Sequence, residues 1–499
     1  MEPDLDDLHR RMFLISTLSG MGGVLAAPAL SIGLETKQQP SAVTLKEAHI
    51  GTLEIDLRIM NQFGVQPQEV QDFYVACRAA MINKNAKSQL VEICQNFKRE
   101  KLGGPMLGDI TPNSVSIWMH LPKPEKVEVI VTAVKGGDPM SFQSKGDDPI
   151  QTIQCDGLSP NTGYSYSVRN SSQRVLGEGD FTTVPEELSQ QPFRIGFGAD
   201  FHKIGMYRPE LMKLIRERGS RAMLLIGDSA VDGRKDDYRL IGADYLLRNL
   251  SPSIQNLTAN VPVYATWDDH DYWGNDVSGN RTPKKDPIDV DGLRRTWKKQ
   301  WNNPQRQSLR DGIYFQTKIG PVHFIALDTR SSRLGKQRGK LNSFLGPQQM
   351  AWLKKTLTES TSPFILISSG TMWTDFISAG KDSWGVWDKE GREEIFQLID
   401  TKHDSHVMLL SGDRHGARGF AIKRPGGKTI YEFEVGTLGG VPGPKAFGDD
   451  RSSQLFGLPS KSWAFGEFTF SSQAGKPTAV FRLINQQGKV LEKVTVSAQ

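Results

Sequence analysis

At 499 residues, with 37% hydrophobic and 23% charged residues, the chain is too long for one ordinary core and has the composition of a globular protein of two or three domains. Its formal net charge is only +5 and is spread along the sequence, which argues against nucleic-acid-specific binding. Three cysteines, Cys77, Cys94 and Cys155, exclude a disulfide framework, and no CxxC or Cys/His zinc spacing exists. Cys77 and Cys94 share one helical stretch and could pair, but isolated buried thiols are the expectation.

The first expected element is an address. Arg10-Arg11-Met12-Phe13-Leu14 precedes an apolar, glycine-bearing run to Leu30 that contains Ala27-Pro28-Ala29. Residues 1–29 resemble a twin-arginine signal peptide cut after Ala29, although Glu2, Asp4, Asp6 and Asp7 make its start unusually acidic. Gly20, Gly22 and Gly23 dilute the run too far for a membrane anchor, so no integral membrane segment is expected in the mature form. The expectation is a periplasmic or extracellular protein that engages the twin-arginine export machinery.

Residues 30–104 read as a helical segment, with apolar residues recurring at Leu53, Leu57 and Met60, then at Val70, Phe73, Tyr74 and Cys77. No chemistry is visible there, and packing against the rest is the expected role. Residues 105–188 change to short alternating segments such as Val115–His120 and Val127–Val131, and a turn precedes the tyrosine-bearing strand Tyr164–Val168. This pattern predicts a β-sandwich and resembles a fibronectin-III-like domain. From 189 to 499, strands alternate with helical stretches (Pro209–Arg218, Asp237–Arg248, Gly292–Trp301, Pro347–Thr356), the rhythm of an α/β layer structure.

Four motifs in this last part carry the chemistry: Asp200-Phe201-His202, Gly227-Asp228, Asp268-Asp269-His270-Asp271 and Gly412-Asp413-Arg414-His415. Each follows a short apolar run that suits a buried strand. If those strands lie side by side, the motifs meet beyond their carboxyl ends, where open α/β sheets place ligands. Carboxylates and imidazoles gathered there form a donor set for two divalent or trivalent metal ions, with Fe, Mn, Zn and Ca as candidates. Asp228 is the expected bridge, because Gly227 lets the backbone turn sharply before it. Asp200 with His202, and Asp413 with His415, are two apart on what read as extended segments and would each face one ion, with Asp269 completing the second. Water held between such ions loses its proton near neutral pH and becomes the nucleophile. His270 is the expected general acid, its ring oriented by Asp271 or Asp268. Among arginines and lysines near strand ends (Lys203, Arg234, Arg330, Arg414, Arg418), Arg330 and Arg418 are the foremost phosphate clamps. Asp232 reads as a turn residue before Gly233, and Gly436–Pro444 as a loop bordering the site.

The ordered set DxH, GD, DDHD and GDRH resembles the calcineurin-like metallophosphoesterases, and within them the PhoD-like alkaline phosphatases. The closer likeness rests on Ala265–Asp271 with Asn275, Leu327–Arg330 with Arg333, Leu345–Leu353 and Leu410–His415. It implies a four-layer α/β/β/α domain, hydrolysis of phosphate mono- or diesters as substrates, twin-arginine export, and Asn275 as a further substrate contact. The chain departs from that family in having Asp200-Phe201-His202 in place of a cysteine-containing segment and Val231 in place of a tyrosine. It therefore lacks the thiolate and phenolate that would suit a ferric ion. The superfamily's intermediate histidine is also replaced, by Ser368-Ser369-Gly370-Thr371. Rival readings are a phospholipase D-like phosphodiesterase and a surface-binding protein with a degenerate metal domain.

Overall fold

Alternation along the strands decides which face each side chain enters, and in this chain it builds four layers. The computed structural model describes residues 42–83, 85–188, 190–232, 238–279, 289–304, 312–375, 382–448 and 451–496. The expected export leader and Arg234 lie outside these residues.

The segment after the amino-terminal helices forms β1 (Gly103–Gly108), β2 (Ser114–His120), β3 (Val127–Ala133), β4 (Met140–Gln143), β5 (Ile150–Asp156), β6 (Gly163–Asn170) and β7 (Val175–Thr182). They pair as a three-stranded sheet, β1-β2-β5, and a four-stranded sheet, β4-β3-β6-β7. These make the expected sandwich. The Tyr164 hydroxyl accepts the Ser159 N–H at 2.8 Å, pinning the strand to its preceding turn as tyrosine corners do. Cys77, Cys94 and Cys155 are all free and buried.

The remaining strands are β8 (Phe193–Gly198), β9 (Ser220–Ile226), β10 (Val263–Thr266), β11 (Phe315–Ile319), β12 (Val322–Ala326), β13 (Phe364–Ser369) and β14 (His406–Ser411). They continue with β15 (Ala417–Lys423), β16 (Thr429–Val435), β17 (Gln454–Leu458), β18 (Ala464–Gln473), β19 (Lys476–Asn485) and β20 (Val490–Val496). One sheet runs β10-β9-β8-β18-β19-β20 and the other β11-β12-β13-β14-β16-β15-β17. On β9, Ala222, Leu224 and Ile226 face the second sheet; on β13 and β14, Phe364, Leu366, Met408 and Leu410 face the first. Their neighbours point outward instead. Met223, Leu225, Val263 and Ala265 pack under helices of the first sheet's outer face. Ile365, Ile367, Val407 and Leu409 pack under the helices Gly346–Glu359 and Trp384–Asp400. Period-two alternation of wholly apolar strands therefore yields α/β/β/α, as expected. Phe433 and Phe481 stack across the inner layer at 4.1 Å between centroids, a contact of about 0.5–1.5 kcal/mol beyond area burial.

The amino-terminal helices are not an appendage. Ile59, Met60, Phe73, Tyr74 and Cys77 join the same apolar cluster as Leu246, Leu247 and Trp267. The sandwich is likewise joined to the α/β layers by hydrogen bonds from Tyr166 Oη to the Ala259 carbonyl and from Trp118 Nε1 to the Lys299 carbonyl, both 2.8 Å.

Candidate active site

Parallel pairing of β8, β9 and β10, and of β12, β13, β14 and β16, sends their carboxyl ends in common directions. All four motifs sit just past such ends. The turns there are tight rather than extended, which corrects the expected spacing argument. Asp200, His202, Asp228, Asp413 and His415 have φ of 57°, 48°, 49°, 73° and 43°. Asp and His are among the residues that tolerate the left-handed region, and such outliers gather where neighbouring structure enforces them. His202 opens a short helix, His202–Gly205, and His270 lies within another, Asp269–Tyr272, not on an extended backbone.

Several donor sets converge. His202, Asp228 and His415 offer ligand atoms within 4.8 Å of one another; so do Asp228, Asp269 and His270, and so do Asp268, Asp269 and Asp413. Asp228 belongs to two of these sets, which is where a bridging carboxylate must stand. Asp200 stands one step back: its two oxygens accept the Asp413 and His415 N–H groups, each at 3.1 Å, and so fix that turn.

The donors fit metal ions. His202 Nδ1 is 2.6 Å from Asp232 Oδ1, leaving Nε2 to face Asp228 Oδ2 at 3.7 Å. His415 Nδ1 bonds the Pro442 carbonyl, leaving its Nε2 free to ligate. Metal-binding histidines are normally oriented in this way through the other ring nitrogen. His202 Nε2 and Asp413 Oδ2 are buried without a hydrogen-bond partner, as atoms reserved for an ion would be.

Electrostatics lead to the same conclusion. Burial, then repulsion from Asp269, pushes the Asp228 carboxyl well above the usual range, and burial with Asp268 does the same to Asp413. Burial raises Asp268 to about 6 and Asp271 to about 7. It lowers His415 to about 4, favouring the neutral ring that ligates metals, and also lowers His270. Burial opposes the His202 cation, yet Asp232 outweighs it and raises that group. Acids crowded this closely call for added positive charge.

Several expected roles are corrected. Arg418 is wholly buried; its guanidinium pairs with Glu434 Oε2 at 2.5 Å and bonds the carbonyls of Arg414 and Lys445, so it staples a loop and does not reach substrate. Arg330 is also fully buried. Its Nε and Nη2 clasp Asp268 at 2.5 and 2.7 Å, Nη1 meets Asp382 at 3.1 Å, and Nη2 reaches Asp413 at 3.4 Å. It neutralises acids beside the donor sets. Gly370 leaves room for this pair: a Cβ there would lie 2.5 Å from Asp268 Oδ1. Asp271 does not orient His270; its carboxylate accepts the Ser229 and Asp268 N–H groups and holds the turn. Lys203 is buried between Asp56 and Asp244, 3.2 Å from each. Asp232 is no mere turn residue, since it orients His202.

Asn275 does line the site, in a cavity of about 400 Å³ with Asp228, Asp269, His270, Asp413 and His415. Arg333, Arg338, Arg414 and Trp387 share its wall. Sequence reading missed Asp382, Trp387 and Arg338, which carry no local motif. It also missed His49, whose ring stacks on His270 at 4.3 Å between centroids. The loop Gly436–Pro444 borders the site as expected, with a Gly436 Cβ destined to fall 2.1 Å from Asp200 Oδ2.

Two facing sheets with acids and imidazoles at their carboxyl ends define a metallophosphoesterase fold. A solved structure of PhoD superposes with a TM-score of 0.60 at 16% identity, covering 80% of this chain and 92% of that one. A purple acid phosphatase, PPD1, from yellow lupin (Lupinus luteus) seeds superposes at 0.58 with 14% identity, covering 79% and 74%. Residues 216–459 match the family model of the PhoD-like phosphatases, a match that supports a hydrolase acting on phosphoric ester bonds. Residues 99–188, the sandwich, match a model described as Domain of unknown function (DUF7800). No curated protein sequence matches the chain.

Proposed function

We propose that this protein is an exported phosphoesterase that hydrolyses phosphate mono- or diesters with two metal ions, each of which Asp228 would help to hold. The observation that carries the reading is Asp228 itself, common to the set with His202 and His415 and to the set with Asp269 and His270. His202, His415 and Asp228, backed by Asp200, would hold one ion; Asp228, Asp269 and Asp413 would hold the other. When bound, the ions supply Lewis acidity to the phosphoryl oxygens and to the attacking water.

The chain's own groups do the rest. Asn275 and Arg414 line the cavity and would orient the ester's non-bridging oxygens, and Arg333, Arg338 and Trp387 line the same space. His270 donates a proton to the leaving oxygen. Burial favours its neutral form, and the anionic substrate brought against it restores the proton. A degenerate binding protein would have no reason to keep Asp228 and Asp269 buried and crowded, because uncompensated buried charge destabilises a fold.

Asp228→Asn should lower turnover of 4-nitrophenyl phosphate and bis-4-nitrophenyl phosphate by at least about a thousandfold; wild-type turnover in that variant would end the proposal. Comparing the two esters in the wild type fixes the mono- or diester preference, and elemental analysis names the ions. The Arg10-Arg11 leader supports export by the twin-arginine machinery to the periplasm or beyond, and amino-terminal sequencing of secreted protein tests cleavage after Ala29.

A further inference from the structure

The general acid of a phosphoesterase has to present one ring nitrogen to the leaving oxygen, so something must fix its ring. Neither acid expected to do so is free for the task. Asp268 is clasped by Arg330, and Asp271 is engaged by backbone N–H groups. His270 Nδ1 is buried without a hydrogen-bond partner.

What holds the ring is packing. The edge of His202 meets it at 5.0 Å with an 84° angle between planes, and the face of His49 covers it at 4.3 Å with 27°. His49 is the residue that ends the helix Leu45–Ala48, and its side chain is 18% exposed. That helix is firmly placed: Thr44 and Glu47 form its capping box, and Arg58 Nη1 bonds Glu47 Oε1 at 2.9 Å. The next helix, Leu53–Asn61, is tied by Asp56 to buried Lys203, beside His202. This whole segment precedes both family-matched spans, 99–188 and 216–459.

We infer that His49 is a positioning residue for the general acid: its imidazole face sets the ring angle of His270 and so aims the proton at the leaving oxygen. The same two rings lie near His202 and Asp232 in a possible four-donor set. Their stacking argues against a shared third ion. Ligating lone pairs lie in the ring planes, and rings 27° apart, one over the other, send those lone pairs side by side instead of toward one point.

The inference rests on the phosphoesterase reading, and the test separates the two. Full-length, metal-loaded wild type, His49→Ala, His49→Leu and His49→Phe are assayed on 4-nitrophenyl phosphate, whose leaving group needs little protonation, and on an alkyl phosphate, whose leaving group needs a proton. Loss of aim should cost part of the general-acid contribution, about tenfold to a hundredfold in kcat on the alkyl ester for the Ala and Leu variants. The same variants should lose no more than about threefold on the nitrophenyl ester. His49→Phe keeps a flat face and should retain the wild-type ratio of the two rates. Metal content should equal that of wild type in all three. If the Ala variant does not fold, the contrast between Leu, which fills the volume without a ring, and Phe decides. Equal losses on both esters, no loss on either, or a missing ion would overturn the inference. A wild type inactive on every ester would defeat the phosphoesterase reading itself, and this one with it.

Discussion

Asp232 offers the sharpest test of the metal centre, because it holds the His202 ring and is not among the residues lining the cavity with Asp228, Asp269 and Asp413. The two side chains are wholly buried, and the 2.6 Å contact between Nδ1 and Oδ1 fixes which imidazole nitrogen faces Asp228. Asp232 Oδ2 also accepts the Lys203 N–H at 2.9 Å, so the carboxylate is itself held in place. Removing such a support typically weakens metal binding about 10- to 100-fold. That range corresponds to about 1.4–2.7 kcal/mol of binding free energy. Asp232→Ala should fall at the upper end, since it deletes the acceptor and leaves Nδ1 buried and unpaired. Asp232→Asn keeps an oxygen at the same reach and should fall at the lower end. Calorimetric titration of the metal-free protein with manganese or zinc reads both values. The reasoning fails if Asp232→Ala binds metal as tightly as the wild type.

Other consequences follow from the same geometry. Arg330→Met leaves Asp268 without its buried partner and Asp382 with Arg333 alone, and should destabilise the protein by about 3–5 kcal/mol, read by urea denaturation; an unchanged midpoint refutes the role given to Arg330. Gly436→Ala places a methyl 2.1 Å from Asp200 Oδ2 and 2.9 Å from Glu434 Oε1, so Asp200 must move and release the Asp413 and His415 turn. That variant should keep its circular dichroism spectrum yet lose most of its metal and activity, and full metal loading would contradict the account. In the metal-free chain, Asp268 at about 6 and Asp271 at about 7 lie above their unfolded carboxyl values. Groups raised on folding contribute stability at low pH that is lost as pH rises, here between about 4 and 7. The contribution is read as a difference: chelated wild type should lose stability relative to the Asp271→Asn variant as pH rises across that window, and a difference that does not change with pH refutes it.

Much of this was legible in the sequence because its signals are local. Apolar runs ending in Asp200, Asp228, Asp268 and Asp413 announce buried strands and their tips, and alternation along them announces two packed sheets. The turns were misread because two-apart spacing looks the same in an extended segment and in the left-handed turns that Asp200, His202, Asp413 and His415 adopt. Arginines near strand ends posed a related difficulty. Position alone does not say whether a guanidinium faces the cavity, as Arg414 does, or is consumed by acids, as Arg330 and Arg418 are. Asp232 was obscured by the glycine after it, and His49 by its distance along the chain from every ligand. No periodicity marks a residue whose partner lies in another layer.

The order of the first sheet sets a timetable for biosynthesis. β8, which leads into Asp200 and His202, is flanked by β9 on one side and by β18, Ala464–Gln473, on the other. Phe197 is aligned with Gly466, so the strand that delivers the earliest donors waits for a neighbour made only after every donor of the site. Both edges of the strand that leads into Asp200 and His202 are thus covered only once β18 has been made.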